Sequence, residues 1–270
     1  MNPIMRIAEI FKLGKEKAES AMVPVSNTED RKKANYRIVI ISLTVMFGLT
    51  FIRYFGDAFY FYELLRIFGF RELPAELIAS QHSELFRLGW WIFIVTVFYL
   101  IIPCLVVKFV FREQLSAFGL TFKGVFKDSW LYAIMLVIMI PVVLISAQGT
   151  GFQQKYPYYI FQHGEGLGVG FWTWELMYFF QFFSLEFFFR GFMLHGSKQR
   201  FGYYSIFFMC IPYCMIHFTK PLGETIGSIG AGLVLGALSL KSGSVWMGVI
   251  IHYSVAILMD MASLWFKGMI

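Results

Sequence analysis

The sequence predicts an all-α fold: a polytopic transmembrane bundle of about seven helices with interfacial amphipathic helices at its edges. Three observations carry that prediction. Of 270 residues, 58% are hydrophobic and only 15% charged, too little polar surface for a water-soluble domain of this size. Apolar stretches of about 20 residues, the length that crosses a hydrocarbon core, recur along the chain. Lys and Arg fall mainly in the N-terminal arm and in alternate loops, as topology signals do. That distribution accounts for the net charge of +6 and argues against nucleic acid as a partner. Aromatic residues make up 20% of the chain, too many for interfacial belts alone, so many must pack between helices.

Residues 1–35 read as a cytoplasmic basic arm and linker. Ile4, Ile7, Ala8 and Phe11 share one helical face, with Arg6, Lys12 and Lys17 off it. The pattern fits an amphipathic helix lying on an anionic membrane surface, or a solvated tail. Residues 1–34 lack the continuous apolar core of a signal peptide, and residues 24–34 read as polar linker. Residues 36–110 hold the N-terminal spans. The first is expected at about 36–54. The next stretch, 53–87, mixes aromatic residues with Asp57, Glu63, Arg66, Arg71, Glu72, Glu76 and Glu84. It is too polar to cross and reads as interfacial helices broken at Pro74. The second span is expected at about 89–111, kinked at Pro103.

Residues 111–270 form the core region. A short connector leads to a span at about 129–147, and a Gly-, Gln- and Tyr-rich loop follows at 148–170. The fourth span begins near Phe171 and continues toward Lys198 and Arg200. The last three are expected at about 202–219, 223–240 and 245–265. The sixth carries small residues that let helices approach closely. Seven spans place the N-terminus in the cytoplasm and the C-terminus outside. Cys104, Cys210 and Cys214 show neither a disulfide framework nor CxxC spacing.

Within the fourth span, Glu186 and Arg190 interrupt an otherwise aromatic run. They are one turn apart and share a helix face. Charges inside hydrocarbon are costly, and they are normally paired, turned inward and functional. At a rise of about 1.5 Å per residue, Glu186 lies roughly 18–21 Å from the basic end of its helix. His217 lies roughly 22 Å, and His252 roughly 12–16 Å, from the same face on two other helices. The three share a middle band. A carboxylate and two imidazoles at one depth supply a base for water and a donor for an oxyanion. The same residue types admit zinc, although the spacing is not that of the HExxH helix. The bland alternatives are a buried Glu186–Arg190 pair that locks packing and two satisfied core histidines. Glu175 reads as helix-lining and His195 as structural or interfacial. His82 and His163 fall outside the spans.

Glu186-Phe187-Phe188-Phe189-Arg190-Gly191, then Tyr213 four residues before His217, then Gly232-Leu233-Val234-Leu235-Gly236, Ser242-Gly243-Ser244-Val245-Trp246 and His252 follow in order. Together they resemble the CAAX-protease and bacteriocin-processing family (CPBP, or Abi) of intramembrane proteases over about 115–265. The resemblance implies a membrane endopeptidase in which Glu186 is the base, His217 the water partner, His252 the oxyanion- or metal-side group and Arg190 the orienting cation. It places Tyr213 at the substrate, with Glu186, His217 and His252 as the ligands of any zinc. The implied partners are membrane lipid and a hydrophobic or lipidated peptide or protein; the implied location is a bacterial plasma membrane. The chain departs from the family pattern at Leu185, where a first Glu is usual, at Tyr213 (Phe), and at Ala256 (Asn). Two readings therefore stay open: an active endopeptidase, and a peptide-binding scaffold or immunity protein. Asp260, two turns past His252, is a partial substitute for the missing Asn. The absence of repeated halves speaks against a transporter.

Overall fold

The computed structural model describes residues 3–24, 27–161 and 166–270. His163 and the side chain of Ile4 lie outside the described residues. Among the described residues the fold is helical, without strands. In order come α1 (Pro3–Ser20), α2 (Thr28–Phe55), α3 (Ala58–Ile67), α4 (Leu73–Ala79) and α5 (Ser83–Val110). They are followed by α6 (Ser129–Ser146), α7 (Thr150–Lys155), α8 (Val169–Glu186), α9 (Gly196–Phe201), α10 (Ser205–Met215), α11 (Leu222–Ser242) and α12 (Trp246–Phe266). A π-helical stretch, Phe187–His195, joins α8 to α9 without a break.

The helices α2, α5, α6, α11 and α12 are each long and apolar enough to cross a membrane. The expected fourth span is the continuous path from α8 through α9. The expected fifth span is shorter than its apolar pattern: α10 has 11 residues, about 16 Å of helix. The chain then turns at 216–219, so His217 sits in a turn at the helix end. The α2 helix starts inside the stretch expected to be linker. The Asn27 side chain caps it by accepting the Asp30 N–H at 3.1 Å, and Glu29 and Asp30 favour its positive end. Pro74 lies in the first turn of α4, where the missing N–H costs nothing, so it starts a helix as well as ending a loop.

The arm is docked on protein. Ile10, Gly14 and Ala18 form its buried stripe, and α1 packs along α11. A Cβ at Gly14 would stand 3.0 Å from the Ala237 carbonyl oxygen, so the close approach depends on that glycine. Lys17 Nζ donates to the Lys241 carbonyl at 3.1 Å. The apolar face expected from Ile7 and Phe11 is only half-buried, and Ala8 is exposed.

The basic segments expected to share one face do meet at one end of the bundle. The Val245 N–H donates to the Gly119 carbonyl at 3.1 Å, and Ser244 Oγ to the Thr121 carbonyl at 2.8 Å. Lys241 pairs with Asp128 at 2.6 Å, and Arg200 Nε donates to Asn35 Oδ1 at 2.6 Å. The aromatic run lies inside: Phe187, Phe188, Phe189 and Phe192 are fully buried, held by van der Waals packing against neighbouring helices. Tyr99 stacks on Phe188 with ring centroids 4.2 Å apart.

Arg37 ties α2 to the connector. Its guanidinium reaches both Glu113 oxygens, at 2.5 and 3.2 Å, and lies against Phe111 and Phe118 at 4.6 and 5.0 Å. Removing one partner of a largely buried pair leaves the other charge uncompensated. Arg37→Ala is expected to cost about 2 kcal/mol, less than a fully buried pair because Glu113 keeps some water contact. A clear fall in the melting temperature in detergent checks this.

Candidate active site

The site is built where α8 meets α12. Glu186 is the last α-helical residue before the π-helical stretch and is completely buried. Its Oε1 accepts from His252 Nδ1 at 2.9 Å and lies 3.1 Å from Arg190 Nη1. Because a carboxylate only accepts, the His252 proton belongs on Nδ1 and its Nε2 is left with the lone pair. Glu186 Oε2, by contrast, has no hydrogen-bond partner among the described residues. One oxygen is held; the other is spare.

Arg190 is equally buried, and its guanidinium lies over the Tyr213 ring, Cζ 3.9 Å from the centroid. Stacking a desolvated cation on an aromatic face is worth about 2 kcal/mol. The Tyr213 ring also meets His217 edge-on at 4.9 Å and His252 at 6.4 Å. Tyr213 thus touches Arg190 and both imidazoles, and at 1% exposure it has little surface left for a substrate. His217 Nδ1 donates to the Tyr213 carbonyl at 2.8 Å, which leaves its Nε2 as an acceptor. Its turn is fixed from the far side. Thr225 Oγ1 donates to the His217 carbonyl at 2.7 Å, and Lys220 bridges Glu224 and Tyr156 at 2.6 and 3.0 Å.

Residues 167–258 match the family model described as type II CAAX prenyl endopeptidase Rce1-like. The chain carries an Rce1-like region. That region contains α8, the π-helical stretch, α9, α10, α11 and the first part of α12, and so all five residues of the cluster. No curated protein and no solved structure matches the chain.

Within the Rce1-like region, Glu186, Arg190 and His252 are in direct contact, while His217 joins them through Tyr213. The residue types admit zinc, and His217 and His252 each hold Nδ1 in a hydrogen bond and keep Nε2 free, as metal-binding histidines do. Among the described residues, however, no three His, Cys, Asp or Glu side chains gather closely enough to form a ligand set.

Asp260 does not stand in for the missing Asn beside the cluster. It accepts the Tyr158 N–H at 3.1 Å and the Trp174 indole N–H at 3.4 Å, fastening the loop after α7. Glu175 is buried, and neither carboxylate oxygen has a hydrogen bond among the described residues. His195 is buried against Ser239, its Nε2 3.0 Å from Oγ, as a structural histidine. His82 lies in the exposed turn before α5.

Sequence reasoning missed Gly248. A Cβ there would stand 2.5 Å from Glu186 Oε2, so the glycine is what lets the carboxylate pack this closely against α12. Gly248 precedes His252 by one helical turn on the same face, and that spacing is the signal that could have found it. Gly248→Ala is expected to displace the carboxylate from His252 while leaving the bundle folded. Any activity that depends on Glu186 should fall at least tenfold, with a lowered melting temperature because a buried pair is disturbed but with the helical circular-dichroism signal retained; unchanged activity would show that the position of this carboxylate is not used.

Proposed function

We propose that the chain is an intramembrane endopeptidase that hydrolyses a peptide bond in a membrane-associated or lipidated peptide, with Glu186 activating the water. The observation that carries this is the inequality of the two Glu186 oxygens. Oε1 is fixed by His252 and Arg190, whereas Oε2 lies close against Gly248 with no hydrogen-bond partner among the described residues. A carboxylate so held has one lone-pair face for a proton and no freedom to turn it away. The Rce1-like match supports the reaction class.

In this reading Oε2 takes a proton as the water oxygen attacks the peptide carbonyl. The tetrahedral intermediate forms its negative charge within the field of the buried Arg190 guanidinium. The C–N bond then breaks, and the proton held by Glu186 passes to the leaving amine. His217 Nε2 is free to position the water. His252, whose side chain keeps 19% exposure, lies on the route by which a peptide would enter. Arg190 and Tyr213 are positioning residues that keep Glu186 ionised and aimed.

Leu185 favours a second reading. The position that is usually a first Glu in the resembling family is apolar and belongs to the buried core, as it would in a scaffold or immunity protein that binds a peptide without cutting it. One experiment separates the two. The purified chain in proteoliposomes is given a prenylated peptide ending in a CAAX sequence, and products are read by mass spectrometry. The enzyme reading expects cleavage by the wild type and a fall of about 10²–10⁴-fold in Glu186→Gln, the range of a general base. Peptide bound but never cleaved by the wild type supports the scaffold instead. Cleavage at wild-type rate by Glu186→Gln removes Glu186 from the mechanism.

A further inference from the structure

A second polar site lies at the basic end of the bundle, beyond the π-helical stretch that follows Glu186. A cavity of about 480 Å³ opens there, lined by Lys17 of α1, Lys123 of the connector, Lys198 of α9 and Lys241 of α11. Among the described residues only one carboxylate lines it, Asp128, and that is already paired with Lys241 at 2.6 Å. The four lysines come from four separate segments of the chain, so no single helix pattern explains their convergence. Like charges drawn around one cavity repel unless an anion sits between them.

The cations are held in place by neutral groups. Lys17 donates to the Lys241 carbonyl at 3.1 Å, and Lys198 to His195 Nδ1 at 3.4 Å. His195 in turn sets its Nε2 against Ser239 Oγ at 3.0 Å, so the buried imidazole serves as an acceptor for Lys198 and adds no charge of its own. Neither contact neutralises a lysine. Gly243 has φ +75°, and a Cβ there would come within 3.3 Å of Lys17 Nζ, so the turn after α11 leaves Lys17 room to reach inward.

We propose that this cavity binds a phosphate group, held by Lys17, Lys123 and Lys198, with Lys241 kept in place by Asp128. Phosphate is the class that suits several ammonium groups converging from different directions, because each oxygen accepts from more than one donor. Two sources carry that chemistry at the edge of a membrane bundle: the headgroup of an anionic phospholipid and free inorganic phosphate.

The test uses the full chain, purified in detergent or placed in nanodiscs. Melting temperature is followed as inorganic phosphate replaces chloride at constant ionic strength. In parallel it is compared between phosphatidylcholine nanodiscs and the same discs containing phosphatidylglycerol, and retained lipid is read by native mass spectrometry. Stabilisation and retention with phosphatidylglycerol alone identify a headgroup site; stabilisation by phosphate as well identifies a free-anion site. Lys17→Gln with Lys198→Gln is expected to weaken the effect about tenfold or more, the size of one to two charge-assisted contacts. Lys12→Gln with Lys15→Gln removes the same charge from the exposed side of α1 and is expected to change it little. Where the first pair of substitutions unfolds the chain, Lys123→Gln, in the exposed connector, decides instead and should weaken binding several-fold. No stabilisation by either probe, equal losses in the control pair, or an unchanged effect in the pocket variants each overturns the site.

Discussion

A single carboxylate buried to zero exposure constrains the rest of the cluster. Taking an ion the size of a carboxylate out of water costs several kcal/mol even after relaxation, and the cost is met only when the pairing geometry is good. Glu186 meets it with Arg190 one turn along and His252 from the facing helix. Arg190 then carries the same liability, and no hydrogen bond satisfies its guanidinium nitrogens among the described residues. The Tyr213 ring takes up part of that liability. Tyr213 in turn fixes His217 through its ring edge and its carbonyl. Each residue of the cluster follows from the one before, and the chain of dependence starts at Glu186.

The backbone is shaped around this pair. The α-helix gives way to π-helical turns directly after Glu186, a feature often met at functional sites. Wider turns change which side chains share a face and set Phe187, Phe188 and Phe189 into the core together with Arg190. Three adjacent aromatic residues on an ordinary helix would sweep most of its circumference. They are all buried here because other helices surround this segment. The charged pair therefore sits in a shell of packed rings, where the surroundings resist movement and the electrostatic interaction is little screened.

Much of this was legible in the sequence because a hydrocarbon-like background makes every polar residue conspicuous. Glu186, Arg190 and His252 stand out against apolar neighbours, and counting residues from the basic loops puts Glu186, His217 and His252 in one middle band. What stayed hidden depends on small residues or on ends. Gly14 and Ala18 carry no amphipathic signal, so the arm read as a surface helix or tail when its smallest side chains are the ones buried against α11. Gly248 has no chemistry of its own, and its role is visible only once Glu186 Oε2 is seen beside it. The end of α10 was hidden for another reason. The apolar pattern runs on past Met215, and the turn that carries His217 is held by Thr225, Lys220, Glu224 and Tyr156 from elsewhere in the chain. The Asn27 cap and the first turn of α2 lie in a stretch whose charged residues read as polar linker.

Leu185 bears on which carboxylate this chain can use. Adjacent residues on a helix point about 100° apart, so positions 185 and 186 cannot both face His252. Here position 185 packs in the cluster that contains Phe188, Phe189 and Tyr213, and position 186 faces α12. A carboxylate at 185 would enter a site with no cation of its own, since the nearest guanidinium is already shared between Glu186 and the Tyr213 ring. Leucine at 185 is therefore consistent with the packing around it and leaves the cluster with one base. Its loss removes a second acidic group without disturbing the hydrogen bond from His252, the contact with Arg190 or the oxygen beside Gly248. On the proposed reading, water activation asks for one immobilised carboxylate with an unpartnered oxygen, and residue 186 is the one the cluster offers.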